Sequence, residues 1–297
     1  MQDNIIEIAN DGRRLSLDRG FLCVDDRMAA KKVPLENILS VVISANQATI
    51  SKNIINAICD SGGGFILCDD KYIPNAMILP YSNHWLGAPR VRSQIAASIP
   101  LNKNLWKKII EEKIANQARA LAALRPESPD IAKLNILARN VKSNDGENCE
   151  GVAAKIYFKA LFGDSFIRDR NQVGINRLLN YAYIIIRSAV ARSIAGNGLL
   201  PQLGIKHCNQ MDQLPLADDL MEPFRPAADT LVFAMTESGA PELTPETKRK
   251  LAGLLVAPVE GLAGTMTMSD GIYEFVGTLE KSYRDKAVRL AFPKLRF

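Results

Sequence analysis

Histidine and cysteine are both scarce in this chain, and their scarcity narrows its chemistry. There are two histidines, His84 and His207, and five cysteines, Cys23, Cys59, Cys68, Cys149 and Cys208, scattered and without a CxxC pair. A thiolate zinc cluster needs more sulfur at tighter spacing, so the pattern speaks against one even though Cys149 and Cys208 each adjoin a candidate ligand. A disulfide framework is equally disfavoured, and the thiols read as reduced and mostly packed. No apolar run reaches the roughly 18 to 20 residues of a membrane span. The opening MQDNIIEIANDGRR lacks the basic, apolar, small order of a signal peptide, so a cytoplasmic protein is expected. Low-complexity tracts and repeats at solenoid period are absent too, which excludes fibrous and solenoid architectures.

What is present is an ordinary folding composition. The 297 residues, 47% hydrophobic and 23% charged, are enough for two domains with a core each. The net charge of +5 is unevenly spread: from Leu101 to His207 there are 17 Lys and Arg against 9 Asp and Glu, and the remainder is net acidic. A basic central segment suits a surface that meets a polyanion, although solvated helix faces give the same pattern.

Residues 1 to about 80 read as short strands, in IIEIA, RRLSLD, FLCVDD and ILSVVIS, with Asp11-Gly12 and Arg19-Gly20 as turns. One helix interrupts them, since Ile50, Ile54, Ile55 and Ile58 fall at helical spacing before Gly62, Gly63 and Gly64 stop it. A break near Asn83, His84 and Trp85 precedes a helical pattern that is expected to run to the C-terminus. The fold class is therefore α+β, a β-rich, sandwich-like domain over 1–85 followed by an all-α domain over 86–297.

The chemistry-bearing residues lie in the second part. Glu150 falls in the first turns of a helix begun near Asp145, where the helix dipole favours a carboxylate's charged form. His207 follows the Gly196 and Gly198 breaks. Asp219 and Glu222 stand three apart, a spacing that puts both on one helix face. Oxygen donors with one imidazole suit Mg2+ or Mn2+ better than zinc, and such ions mostly serve phosphoryl chemistry. Taken singly, each acidic residue is more often exposed and inert. Asp218 points off the shared face and reads as solvated or as an N-cap. Arg225 could pair with Glu222 or hold a phosphate. Tyr181 and Tyr183 lie on different helix faces and read as core residues, and His84 lacks acidic neighbours.

Several strings together carry more than any residue alone. LWKKIIEEKIANQ, SNDGENCEGVAAKIYFKALFG, NRLLNYAYIIIRSAVA, LPQLGIKH and LADDLMEPFRP, in this order, resemble the CRISPR-associated integrase that acquires new spacers, and VPLENILSVVIS with GGFILCDDKYIPN resembles that family's β-rich domain. DLMEPFRP and the tail RLAFPKLRF are most similar to members from systems with a single large RNA-guided effector nuclease.

The resemblance implies a β-rich dimerisation domain, a helical catalytic and DNA-binding domain, and homodimers, two of which flank a dimer of a small ferredoxin-fold partner. Effector nuclease and accessory adaptation proteins are further partners it suggests. The implied chemistry is metal-dependent attack by the 3′-hydroxyls of captured double-stranded DNA on the repeat, with Mg2+ or Mn2+ as cofactor and branched DNA as product. Carried onto this chain, the ligands are Glu150, His207 and Glu222, with Asp219 either a further ligand or a support. Arg168, Arg170, Arg177, Arg187, Arg192 and Arg225 are candidates for DNA backbone contacts. The rival expectations are a structure-selective nuclease acting on branched DNA and a non-catalytic DNA-binding scaffold.

Overall fold

The computed structural model describes residues 4–25, 30–69, 74–80, 87–169, 174–209, 211–240, 242–262 and 264–297. The chain divides into two compact units, Met1–Trp85 and Leu86–Phe297. His84 and Trp85, read above as the domain break, and Arg170 lie outside the described residues.

The first unit holds β1 (Asn4–Ile8), β2 (Arg13–Asp18), β3 (Phe21–Asp25), β4 (Ala30–Pro34), β5 (Ile38–Ile43), β6 (Ala48–Ile50), α1 (Lys52–Asp60), β7 (Gly64–Cys68) and β8 (Pro74–Ile78). They form two four-stranded sheets, ordered β1-β5-β7-β8 and β4-β3-β2-β6. Arg19 and Gly20 both adopt positive φ, the geometry a two-residue hairpin between β2 and β3 demands. The Asp11-Gly12 turn behaves differently: it carries the chain out of one sheet and into the other, because β1 pairs in parallel with β5 and not with β2. Leu15 and Leu22 of one sheet, Ile8, Val41 and Phe65 of the other, and Ile54 and Ile58 of α1 share one apolar core. Burial runs continuously through residues 40–43 of β5 and 64–66 of β7 and is helically spaced at Ile54 and Ile58 of α1, and removing this surface from water drives the packing.

The second unit is helical. It comprises α2 (Gly87–Ile95), α3 (Ile99–Leu124), α4 (Asp130–Asn140), α5 (Cys149–Phe162), α6 (Ile175–Gly196), α7 (Pro215–Met221), α8 (Arg225–Glu237), α9 (Pro245–Ala252) and α10 (Met268–Asp285). Ser98 caps α3 by accepting from the Leu101 amide, and Pro100 stands in its first turn, where the missing N–H costs nothing. Thr244 and Thr247 form a reciprocal capping box at α9. The unit departs from an all-α chain at one place. β9 (Pro258–Gly261) and β10 (Gly264–Thr267) make an antiparallel hairpin, and Lys294 of the tail bridges to Glu260. Pro258, Gly261 and Gly264 are poor helix residues, so the stretch that was expected to continue as helix turns back instead.

Candidate functional site

Four segments converge in the helical unit. On α3, Leu105, Ile109, Ile110 and Ile114 form a buried stripe, and Lys113 lies in the same stripe with its side chain 10% exposed. Its ammonium sits 2.6 Å from Glu150 Oε1 and 2.5 Å from Glu222 Oε2. Glu150 comes from the first turn of α5. Glu222 opens the 3-10 turn Glu222–Phe224 that follows α7. Arg225 grips the other oxygen of Glu222 at 3.0 Å.

Local backbone geometry fixes each carboxylate. The loop before α5 contains three non-glycine residues at positive φ, Asn144, Asp145 and Asn148. In that strained conformation the two Asp145 oxygens accept from the amides of Cys149 and Glu150, and the Asn148 side chain accepts from Gly151. The orphan donors of the helix start are thereby satisfied, and Glu150 is held at its second position.

His207 is held by Asp219. The completely buried Asp219 carboxylate accepts from the backbone amides of Ile205 (2.5 Å), Lys206 (2.9 Å) and His207 (3.2 Å), and lies 2.6 Å from His207 Nδ1. A carboxylate can only accept, so Nδ1 carries the proton and Nε2 takes no part in this pair. Trp106 meets the imidazole edge to face at 5.7 Å. Gly204 lets the loop close, since a Cβ there would collide with the His207 carbonyl and stand 3.1 Å from Asp219 Oδ2. Both oxygens of Asp219 are thus engaged by the loop that carries His207.

The electrostatics follow. Burial pulls the Lys113 pKa down, but Glu222 and Glu150 outweigh it and the net direction is up. Burial raises Glu222, and Arg225 and then Lys113 overcome it and hold the carboxyl below its ordinary value. His207 is raised, chiefly through its hydrogen bond to Asp219. Next to this cluster Tyr183 donates to Asp229, a buried carboxyl pushed up to about 7 because burial outweighs that hydrogen bond and the charges of Arg225 and Arg168. The Arg225 guanidinium lies 4.6 Å over the Tyr183 ring.

Two carboxylates and one imidazole nitrogen suit Mg2+ or Mn2+ in kind. They are not closed around a common point. Among the described residues no three such donors form a metal-holding cluster, and the Lys113 ammonium stands between the two carboxylates. Beside His207 opens a cleft of about 550 Å³, lined by Gln94, Asn102, Cys208, Gln213 and Tyr283 among others.

The arginines read from sequence mostly turn inward. Arg187 pairs with Asp218 at 2.6 Å and Asp212 at 2.7 Å, which also corrects the reading of Asp218 as solvated or as an N-cap, since Leu214 occupies that cap. Arg168 donates to Asn176 and Asn180, Arg192 donates to Ser269, and Arg177 is half-buried. Exposed cations of the helical unit include Lys142, Lys155 and Lys206, the last beside His207 in the chain. Lys113 itself was missed. Its signal was its register with Ile109 and Ile110, which places a cation in an apolar stripe.

Comparison with known proteins bears on the family and the fold. The profile of the family CRISPR associated protein Cas1 matches residues 6–254. A CRISPR-associated endonuclease Cas1 of Neisseria meningitidis serogroup C (strain 8013) is 33% identical over 293 residues, covering 97% of this chain and 95% of the relative. Among solved structures, a casposase bound to integration product superposes with a TM-score of 0.79 at 21% identity, over 100% of this chain and 94% of that one. A chain of a Cas6-RT-Cas1–Cas2 complex gives 0.77 at 17% identity, over 99% of this chain and 36% of that one. These two likenesses concern the fold.

Proposed function

The chain belongs to the CRISPR-associated Cas1 family, and from that membership we propose that it is a divalent-metal-dependent DNA integrase and endonuclease of CRISPR adaptation, joining 3′-hydroxyl ends of captured DNA to the repeat by transesterification. One observation carries the reading: Glu150 and Glu222, from separate segments, meet across one cation, beside a histidine whose free nitrogen is fixed by Asp219. Glu150, Glu222 and His207 are the residues that would hold Mg2+ or Mn2+, with Asp219 orienting the imidazole. When bound, the cation would neutralise charge on the attacked phosphodiester and lower the pKa of the attacking hydroxyl.

The rest of the task is positioning. Trp106 and Asp219 keep the imidazole from rotating, and Arg225 holds Glu222 ionised. Exposed lysines such as Lys142, Lys155 and Lys206 supply phosphate contacts that set register without reading sequence. The neighbouring folds, one a casposase on its integration product and one within a complex named for Cas2, are in keeping with DNA as substrate and a Cas protein as partner.

The test is strand transfer on a branched DNA with a free 3′-hydroxyl, in Mn2+, Mg2+ and EDTA. Joined product that requires metal and disappears in Glu150→Ala is the expected result. Cut but unjoined strands would make the protein a nuclease of branched DNA, and binding without chemistry in any metal would overturn the enzymatic reading.

A further inference from the structure

Lys113 is a charged residue that packing does not require. It occupies a core position of α3, and an apolar side chain would fill that stripe. Nor is it needed to fasten α3 to the turn that bears Glu222. One turn on, the buried Asn116 already does this by donating to the Pro223 carbonyl at 2.8 Å. A buried ion pair is in any case a weak net contributor to stability, because desolvation offsets much of the attraction. What Lys113 does provide is a positive charge at the one place where Glu150 and Glu222 face each other, within 2.6 and 2.5 Å of their oxygens.

We infer that Lys113 is a positioning residue that keeps the place of the divalent cation: its ammonium holds Glu150 and Glu222 poised while the site is empty, and gives up those oxygens when the cation binds. This rests on the ligand assignment proposed above. An ammonium and a divalent ion draw on the same lone pairs, so the two compete. Arg225 stays in place throughout, since it uses the opposite oxygen of Glu222 at 3.0 Å. The arrangement has two consequences. The empty site avoids two unpaired carboxylates in a half-buried setting, and cation affinity is lower than the bare carboxylates would give, so occupancy follows the supply of cation and substrate.

The experiment is Mn2+ binding to the purified full chain by titration calorimetry, with melting temperature in EDTA and in saturating Mn2+ as a second readout. Lys113→Met removes the competitor and keeps the length. It is expected to bind Mn2+ about threefold or more tighter than wild type, and to melt lower in EDTA while regaining most of the loss in Mn2+. Lys113→Arg keeps a charge that is larger and never deprotonates, and is expected to bind Mn2+ about threefold or more weaker. A purely structural lysine would leave both affinities where they are. Unchanged affinity in both variants, or weaker binding in a folded Lys113→Met, overturns the inference. Should Lys113→Met fail to fold, Lys113→Arg decides alone. The ligand assignment fails in a different way: wild type and Glu150→Ala would then bind Mn2+ alike, or not at all.

Discussion

Among the described residues, the N-terminal unit buries Ser40 and Ser44 as its polar side chains, whereas the helical unit buries Lys113, Asp219, Glu222, Asp229, Lys248 and Glu280 alongside its apolar core. One sheet-and-helix core buries no charged side chain among the described residues. The other carries ionisable groups that burial tolerates only where a partner faces them, as Lys113 and Glu222 do, or where a proton is kept, as on Asp229. The difference separates the jobs of the two units: in the first, stability is what burial serves, and in the second part of that stability is given up to hold charge in fixed positions.

The contrast can be broken from either side. The largest effect should come from the apolar unit, where Phe65 is 1% exposed. Phe65→Ala should lower the stability of that unit by about 4 kcal/mol, measured by urea unfolding. A loss below about 1 kcal/mol would mean that its core repacks freely. Asp219→Asn tests the helical unit. It removes the charge that three backbone amides and His207 face, and should lower Mn2+ affinity and strand transfer about 10- to 100-fold with the fold kept. Full activity would separate the imidazole from Asp219.

Asp229 sharpens the comparison through pH. Its folded pKa of about 7 lies above the unfolded value of 3.8, so the folded chain keeps a proton that the unfolded chain releases. The stability this supplies is fully present below the unfolded value and is lost as pH rises through 7. Wild type should therefore lose about 2 kcal/mol relative to Asp229→Asn between pH 5 and pH 7. Parallel stability curves for the two proteins would show that Asp229 is ionised throughout. The smallest expected effect is that of Arg187→Ala on DNA affinity. Because Asp212 and Asp218 neutralise Arg187 internally, the salt dependence of binding should keep its slope while stability falls by about 1 kcal/mol. A slope reduced by about one would place Arg187 on the DNA.

Much of the fold was legible because periodicity is a local property. The stripes Ile54 and Ile58 in α1 and Leu105 and Ile109 in α3 follow from spacing alone. β4 was harder to read, since Ala30, Lys31 and Lys32 are exposed on the outer strand of its sheet, where lysines guard the edge. The hairpin at β9 and β10 is four residues a side and rich in glycine and proline, too short for a period to show. Within the site, Glu150, His207 and Glu222 stood out through their resemblance to a family. Lys113 did not, because the acids that make its burial tolerable lie in α5 and after α7, far along the chain. The partners of Arg187 were hidden for the same reason: an arginine on a helix gives no sign of the two aspartates further on with which it pairs.

The turn at Gly204 has a consequence for how such a chain can drift. Any side chain there strikes the His207 carbonyl and crowds Asp219, so the placing of an imidazole depends on a residue that has no side chain at all. Leu203 next to it is 37% exposed, and its backbone sets no such limit on the side chain it carries. Position 204 has one permitted state, and its constancy would record the shape of a loop and not the identity of a reagent.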